Sequence, residues 1–135
     1  MNTKNILLIE DCMLDAILIK ESLQVKGSKC NINLFDDGFE ALIHLEKTLS
    51  DTEQKTPDLI IASENLVHIN GENLLQKIKT YSNFFIPVII LTSDKNIDKP
   101  SFNKNTCCHI SKPLEVKDFI KVIQEIKHYW LTLSN

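Results

Sequence analysis

A rhythm of short, unbroken apolar runs, each followed by a stretch of helical period, most limits what this chain can fold into. Ile6-Leu7-Leu8-Ile9, Leu59-Ile60-Ile61-Ala62 and Val88-Ile89-Ile90-Leu91 contain no polar residue. A strand that is apolar on both faces must be covered on both faces, as in a parallel sheet sandwiched between helices. Ile32-Asn33-Leu34-Phe35 and Cys107-Cys108-His109-Ile110 are weaker members of the same set. Leu14, Ile17 and Leu18 share one face of a helix starting near Asp11. Leu42, Leu45 and Leu49 do the same after Gly38, and Leu74, Leu75 and Ile78 after Gly71. Val116, Ile120, Ile123 and Trp130 mark the last helix. Pro57, Pro87 and Pro113 fall at segment boundaries, where a missing backbone donor does least harm.

Strands alternating with helices predict an α/β fold, a right-handed, doubly wound, five-stranded parallel sheet. The segment between Thr92 and Cys107 breaks the rhythm. A fourth helix is due there, but Pro100 and several asparagines and aspartates disfavour it. A loop with at most a turn or two of helix is expected. Residues 1–135 are expected to form one domain, since 43% apolar content suffices for one core.

Several function classes are disfavoured. All 15 basic residues are lysine, and they form no stripe. Arginine, the residue that forks onto phosphate and guanine, is absent, so no nucleic-acid partner is expected. No apolar run approaches the roughly 18–20 residues of a membrane span, so no membrane partner is expected. Met1 to Asn5 lead directly into a strand-like run with no signal-peptide pattern. The expected setting is therefore cytoplasmic, with Cys12, Cys30, Cys107 and Cys108 as reduced thiols. His44, His68, His109 and His128 lie on different elements and do not form a zinc-like set.

In an open α/β sheet, ligands bind beyond the carboxyl ends of the strands. The residues leaving the strands are Glu10-Asp11, Ser63, Thr92-Ser93 and Lys112-Pro113. If the strand order is 2-1-3-4-5, two carboxylates, two hydroxyl positions and one ammonium converge on one crevice.

These same residues carry a resemblance. Ile-Leu-Leu-Ile-Glu10-Asp11, Asp37-Gly38-Phe39-Glu40-Ala41-Leu42, Pro57-Asp58-Leu59-Ile60-Ile61, Asn70-Gly71, Leu91-Thr92-Ser93 and Lys112-Pro113 occur in the order and spacing of response-regulator receivers. The chain resembles that family from end to end. The run Phe119…His128-Tyr129-Trp130-Leu131-Thr132-Leu133 is similar to single-domain receivers that pair with phytochrome-type histidine kinases. The resemblance implies the flavodoxin-like order 2-1-3-4-5 and a role in two-component phosphorelay signalling. It implies a sensor histidine kinase as partner and no enzymatic activity of its own. It further implies Mg²⁺ held by Glu10, Asp11 and the backbone carbonyl of Asn65. Thr92 and Lys112 correspond to the phosphate-contacting hydroxyl and ammonium, and His109 to the aromatic switch position.

One position departs from the family. Counted from Pro57, and again from Asn70-Gly71, the slot of the phosphate-accepting aspartate is Ser63. A hydroxyl is a poor nucleophile without an activating base. Its presence also withdraws one anionic ligand, so Mg²⁺ is expected to bind weakly. Lys112 is expected to pair with Glu10 or Asp11. Strand alternation is expected to send Glu64 to the face opposite Ser63, away from the crevice. The expected function is that of a stand-alone pseudo-receiver working through protein contacts. The distal end of the last helix, Tyr129 to Leu133, offers a surface for a homodimer. The alternatives are a receiver with a noncovalent Mg²⁺/phosphate switch and a small hydrolase built on Ser63 and Lys112.

Overall fold

The computed structural model describes residues 3–24, 29–50, 56–69, 72–73, 86–93, 101–102 and 107–132. Strand β1 (Lys4–Ile9) leads into helix α1 (Met13–Leu23), and β2 (Cys30–Phe35) into α2 (Gly38–Ser50). Strand β3 (Leu59–Ser63) runs into a 3₁₀ turn over Glu64–Leu66. A two-residue hairpin follows, β4 (His68–Ile69) with β5 (Glu72–Asn73). Next come β6 (Val88–Thr92), β7 (Ser101–Phe102), β8 (Cys107–Ser111) and α3 (Val116–Ile126). A π-helical extension, Lys127–Thr132, continues the last helix. The expected helix over Leu74, Leu75 and Ile78 lies outside the described residues, as does the turn at Asn70-Gly71.

The main sheet has the order β2-β1-β3-β6-β8-β7. Its five long strands are all parallel and, counted along the chain, take the expected order 2-1-3-4-5. The sixth strand was not expected. Ser101–Phe102 pairs antiparallel with β8, opposite His109 and Cys108, within the segment predicted to be a loop. Pro100 immediately precedes it, which suits the start of an edge strand better than a helix.

The apolar runs are buried on both faces, and alternation divides them into two cores. Leu7, Ile9, Ile60, Ala62, Val88 and Ile90 pack with Ala41, Leu42 and Leu45 of α2. Ile6, Leu8, Leu59, Ile61, Ile89 and Leu91 face the other way, onto α1 and α3. There they meet Ile19, Leu23, Phe119, Ile123 and Ile126. The strands carrying these three runs, β1, β3 and β6, are thus clamped from both sides and end at the rim with whatever polar residues follow them.

Two helical stripes need correction. Leu14, Ile17 and Leu18 do share a helical face, but it is not the core face, because Leu14 is 73% and Ile17 45% exposed. The smaller face formed by Ala16, Ile19, Ser22 and Leu23 is the buried one. Apolar residues surround α1 on nearly every side, so periodicity alone did not choose between faces. The Ala16 side permits the closer approach to the sheet. In α3, Val116 is 56% exposed, and Phe119, Ile123 and Ile126 form the buried stripe.

A pair of substitutions tests this division. Ile61→Ala, fully inside the second core, is expected to cost about 2–5 kcal/mol of unfolding free energy. Leu14→Ala on the outer face is expected to stay within about 0.5 kcal/mol of the parent. Urea midpoints at constant m read both.

Candidate functional site

Because all five long strands are parallel, their carboxyl ends share one rim, and the polar residues that end each run assemble there. β1 delivers Glu10, whose N–H donates to the Phe35 carbonyl at 2.9 Å and so extends the ladder one step beyond the strand. Asp11 and Cys12 then lead into α1. Cys12 caps that helix without a side-chain hydrogen bond, and its N–H is taken instead by Glu10 Oε2 at 3.1 Å. β3 delivers Ser63, and β6 delivers Thr92. β8 delivers Lys112, whose backbone N–H donates to the Thr92 carbonyl at 2.7 Å. Glu10, Ser63 and Thr92 are all buried.

These groups line one open cleft together with Asp15, Glu64, Asn65 and Ser93. Two hydrogen-bonded chains organise it. In the first, the Ser63 hydroxyl donates to Asn65 Oδ1 at 2.7 Å, and Asn65 Nδ2 donates to Asp11 Oδ2 at 3.2 Å. In the second, Lys112 Nζ donates to Glu10 Oε1 at 2.7 Å and to Asp15 Oδ2 at 3.0 Å. Burial alone would push the Lys112 ammonium down. Its hydrogen bonds to Glu10 and Asp15 and their negative charges outweigh that, and its pKa stands above the ordinary lysine value.

The rim brings together Glu10, Asp11, Ser63, Asn65, Thr92 and Lys112, as the strand-end pattern requires. His109 is elsewhere, half-buried in the middle of β8, opposite Ile90 on one side and Ser101 on the other. Lys112 pairs with Glu10 as expected, but its second partner is Asp15 rather than Asp11. The signal for Asp15 was present: an acid in the first turn of α1, four residues after Asp11 and favoured by the helix dipole. Asn65 acts through its side-chain amide, bridging Ser63 to Asp11. Glu64 corrects an expectation outright. β3 ends at Ser63 and the chain turns at once into the 3₁₀ segment, so alternation no longer applies and Glu64 lines the cleft.

A divalent ion of the Mg²⁺ kind needs about six oxygen donors, including free carboxylate oxygens. Both oxygens of Glu10 are engaged, one by the Lys112 ammonium and one by the Cys12 N–H. Asp11 Oδ2 is engaged by Asn65. Among the described residues no group of three histidine, cysteine, aspartate or glutamate side chains is arranged to hold a metal ion. The oxygens as arranged do not fit a tight Mg²⁺ site. Cys12, Cys30 and Cys108 are reduced thiols, and burial pushes that of Cys30 up. Among the described residues, no helix is long and apolar enough to cross a membrane.

Glu10 is nearly inaccessible and Lys112 supplies its counter-charge, so breaking the pair leaves an uncompensated buried carboxylate. Lys112→Met is expected to cost about 3–5 kcal/mol. The sign of the pH dependence follows from the raised pKa. The stabilisation is complete below the ordinary lysine pKa of about 10.4 and is lost as pH rises through the higher folded-state value. The gap between wild type and Lys112→Met, measured by urea unfolding, is therefore expected to stay constant from neutral pH and to narrow only above about pH 10.4.

The chain as a whole is similar to known proteins. The sequence profile of the response regulator receiver domain matches residues 6–124. Response regulator Rcp1 of Synechocystis sp. is 30% identical over 131 residues, covering 95% of this chain and 89% of that protein. The probable methanogenesis regulatory protein FilR2 of Methanothrix harundinacea is 29% identical, covering 93% and 83%. Among solved structures, the phosphorylated cyanobacterial phytochrome response regulator RcpA superimposes with a TM-score of 0.79 at 26% identity, covering 99% and 98% of the two chains. The Mn²⁺-bound form of Rcp1 superimposes with a TM-score of 0.72 at 26% identity, covering 95% and 94%.

Proposed function

The chain belongs to the response-regulator receiver family of two-component signalling, and from that we propose that it is a pseudo-receiver whose phosphoacceptor position is occupied by Ser63. It acts through protein contacts without phosphotransfer. One observation carries this: a buried hydroxyl ends the central strand β3, in the same cleft as Glu10, Asp11, Thr92 and Lys112. In the family a carboxylate at that strand end attacks phosphorus, and Mg²⁺ on the acidic pair neutralises the incoming phosphate. Here the Ser63 hydroxyl donates its hydrogen bond to an amide oxygen, which is no base, and the acids are bound to Lys112 and Asn65. Thr92 and Lys112 remain as remnants of the phosphate site, and Mg²⁺ binding through Glu10, Asp11 and the Asn65 carbonyl is weak.

The hydrolase alternative fares worse. A serine–lysine dyad needs a neutral lysine to receive the serine proton. Lys112 has a raised pKa and sits between two carboxylates, so it is charged at neutral pH.

The partner we propose is a sensor histidine kinase, by analogy with two-component response regulators such as the cyanobacterial phytochrome response regulator RcpA, which this chain resembles in structure. Met13, Leu14 and Ile17 on α1 and Leu114 and Val116 before and at the start of α3 are exposed. The Lys112–Asp15 contact ties the first turn of α1 to the segment just before Leu114, and these exposed apolar side chains are the proposed points of protein contact. Tyr129, 58% exposed, extends the surface available to a second copy on the last helix.

Acetyl phosphate with Mg²⁺, followed by intact-mass measurement, is expected to give no adduct of about 80 Da on the wild-type chain. An adduct removed by hydroxylamine would overturn the assignment. Ser63→Asp supplies a further carboxylate and is expected to tighten Mg²⁺ binding by about tenfold or more. Unchanged affinity would show that position 63 is not the acceptor slot. Calorimetry with Mg²⁺ and beryllofluoride reads the noncovalent-switch alternative, which requires saturable micromolar binding by the wild type.

A further inference from the structure

Building on the assignment of the chain as a receiver without an acceptor, we infer that Lys112 is the built-in counter-cation of the acidic cleft. Its ammonium holds Glu10 and Asp15 where a divalent ion would otherwise draw on them, and Asp15 is the positioning residue that keeps it there.

The geometry is that of a cation site already filled. Nζ stands 2.7 Å from Glu10 Oε1 and 3.0 Å from Asp15 Oδ2, so two carboxylate oxygens from different elements converge on one point. Both contacts are charge-assisted hydrogen bonds of good length. The Glu10 side chain is 1% and that of Lys112 12% exposed, so solvent and salt screen the pair little. The remaining Glu10 oxygen is held by the Cys12 N–H, which fixes the carboxylate's rotation. A dication entering the cleft would meet a fixed positive charge at the spot where these acids converge. To gain Glu10 or Asp15 it would have to expel the ammonium, leaving that charge buried without a partner.

Asp15 makes the arrangement specific. With Glu10 alone, a lysine on a four-carbon stem could swing toward Ser63 and Thr92. A second carboxylate on the first turn of α1 pins it from the other side. The other chain, Ser63 to Asn65 to Asp11, ties down the acid that Lys112 does not reach. The result is a cleft in which one ammonium neutralises the convergence point of two of the four carboxylates, Glu10 and Asp15, while Asp11 is tied to Asn65.

The test is a titration of the full-length chain with Mn²⁺ alone, following the paramagnetic resonance signal of the free aquo ion and, in parallel, the thermal midpoint. The wild type is expected to show no saturation below the millimolar range and no Mn²⁺-dependent rise in Tm. Lys112→Met frees both oxygens and is expected to bind Mn²⁺ at least about tenfold more tightly, with Tm rising as Mn²⁺ is added. Adding Asp15→Asn to Lys112→Met is expected to abolish most of that gain. Should Lys112→Met fail to fold, Lys112→Gln keeps an amide donor beside Glu10, and the same direction is expected. Sub-millimolar saturation of the wild type, or no gain in a folded variant at position 112, would overturn the inference. The acetyl-phosphate adduct bears only on the acceptor assignment, and the gain in Mn²⁺ affinity on substituting position 112 only on Lys112, so either can fail without the other.

Discussion

A carboxylate closes the first strand of this sheet in a place where water hardly reaches it, and the cation that neutralises it comes from 102 residues further along the chain. Isolated burial of Glu10 would cost several kcal/mol, more than any single core contact returns. Its partner must therefore be in place whenever the fold is. The ion pair joins the end of β1 to the end of β8, the first and last long strands in the chain. The ammonium's second bond, to Asp15, fastens the start of α1 to the same point. Strand order, the rim of polar residues and the approach of α1 to the segment after β8 all meet in this one contact.

Much of the fold was legible because the sequence writes it in a simple code. Runs such as Val88 to Leu91, apolar at every position, have one comfortable environment, and two opposite cores provide it. The rim residues were legible for the same reason, since a parallel sheet collects whatever follows each run. What escaped was local. α1 is apolar almost all round, so period alone could not say that Leu14 faces water and Ala16 the sheet. Glu64 escaped because alternation holds only while a strand lasts, and β3 stops one residue earlier. Asp15 escaped because an acid in a first helical turn has an ordinary explanation in the helix dipole. Only coordinates reveal that it also faces an ammonium.

The polar groups at the rim of the sheet are turned toward one another. A hydroxyl donates to an amide, the amide to a carboxylate, and an ammonium bridges two further acids. Such a closed network gives rigidity, because each polar group already has its partner and gains little by moving.

The short strand Ser101–Phe102 has an effect beyond the topology diagram. By lying antiparallel against Cys108 and His109, it occupies a stretch of the sheet margin that would otherwise offer raw backbone to any extended peptide. An uncovered margin of that kind is a template for runaway strand addition. Two residues are enough to cover that stretch, and a very short edge strand is itself a poor template for further pairing.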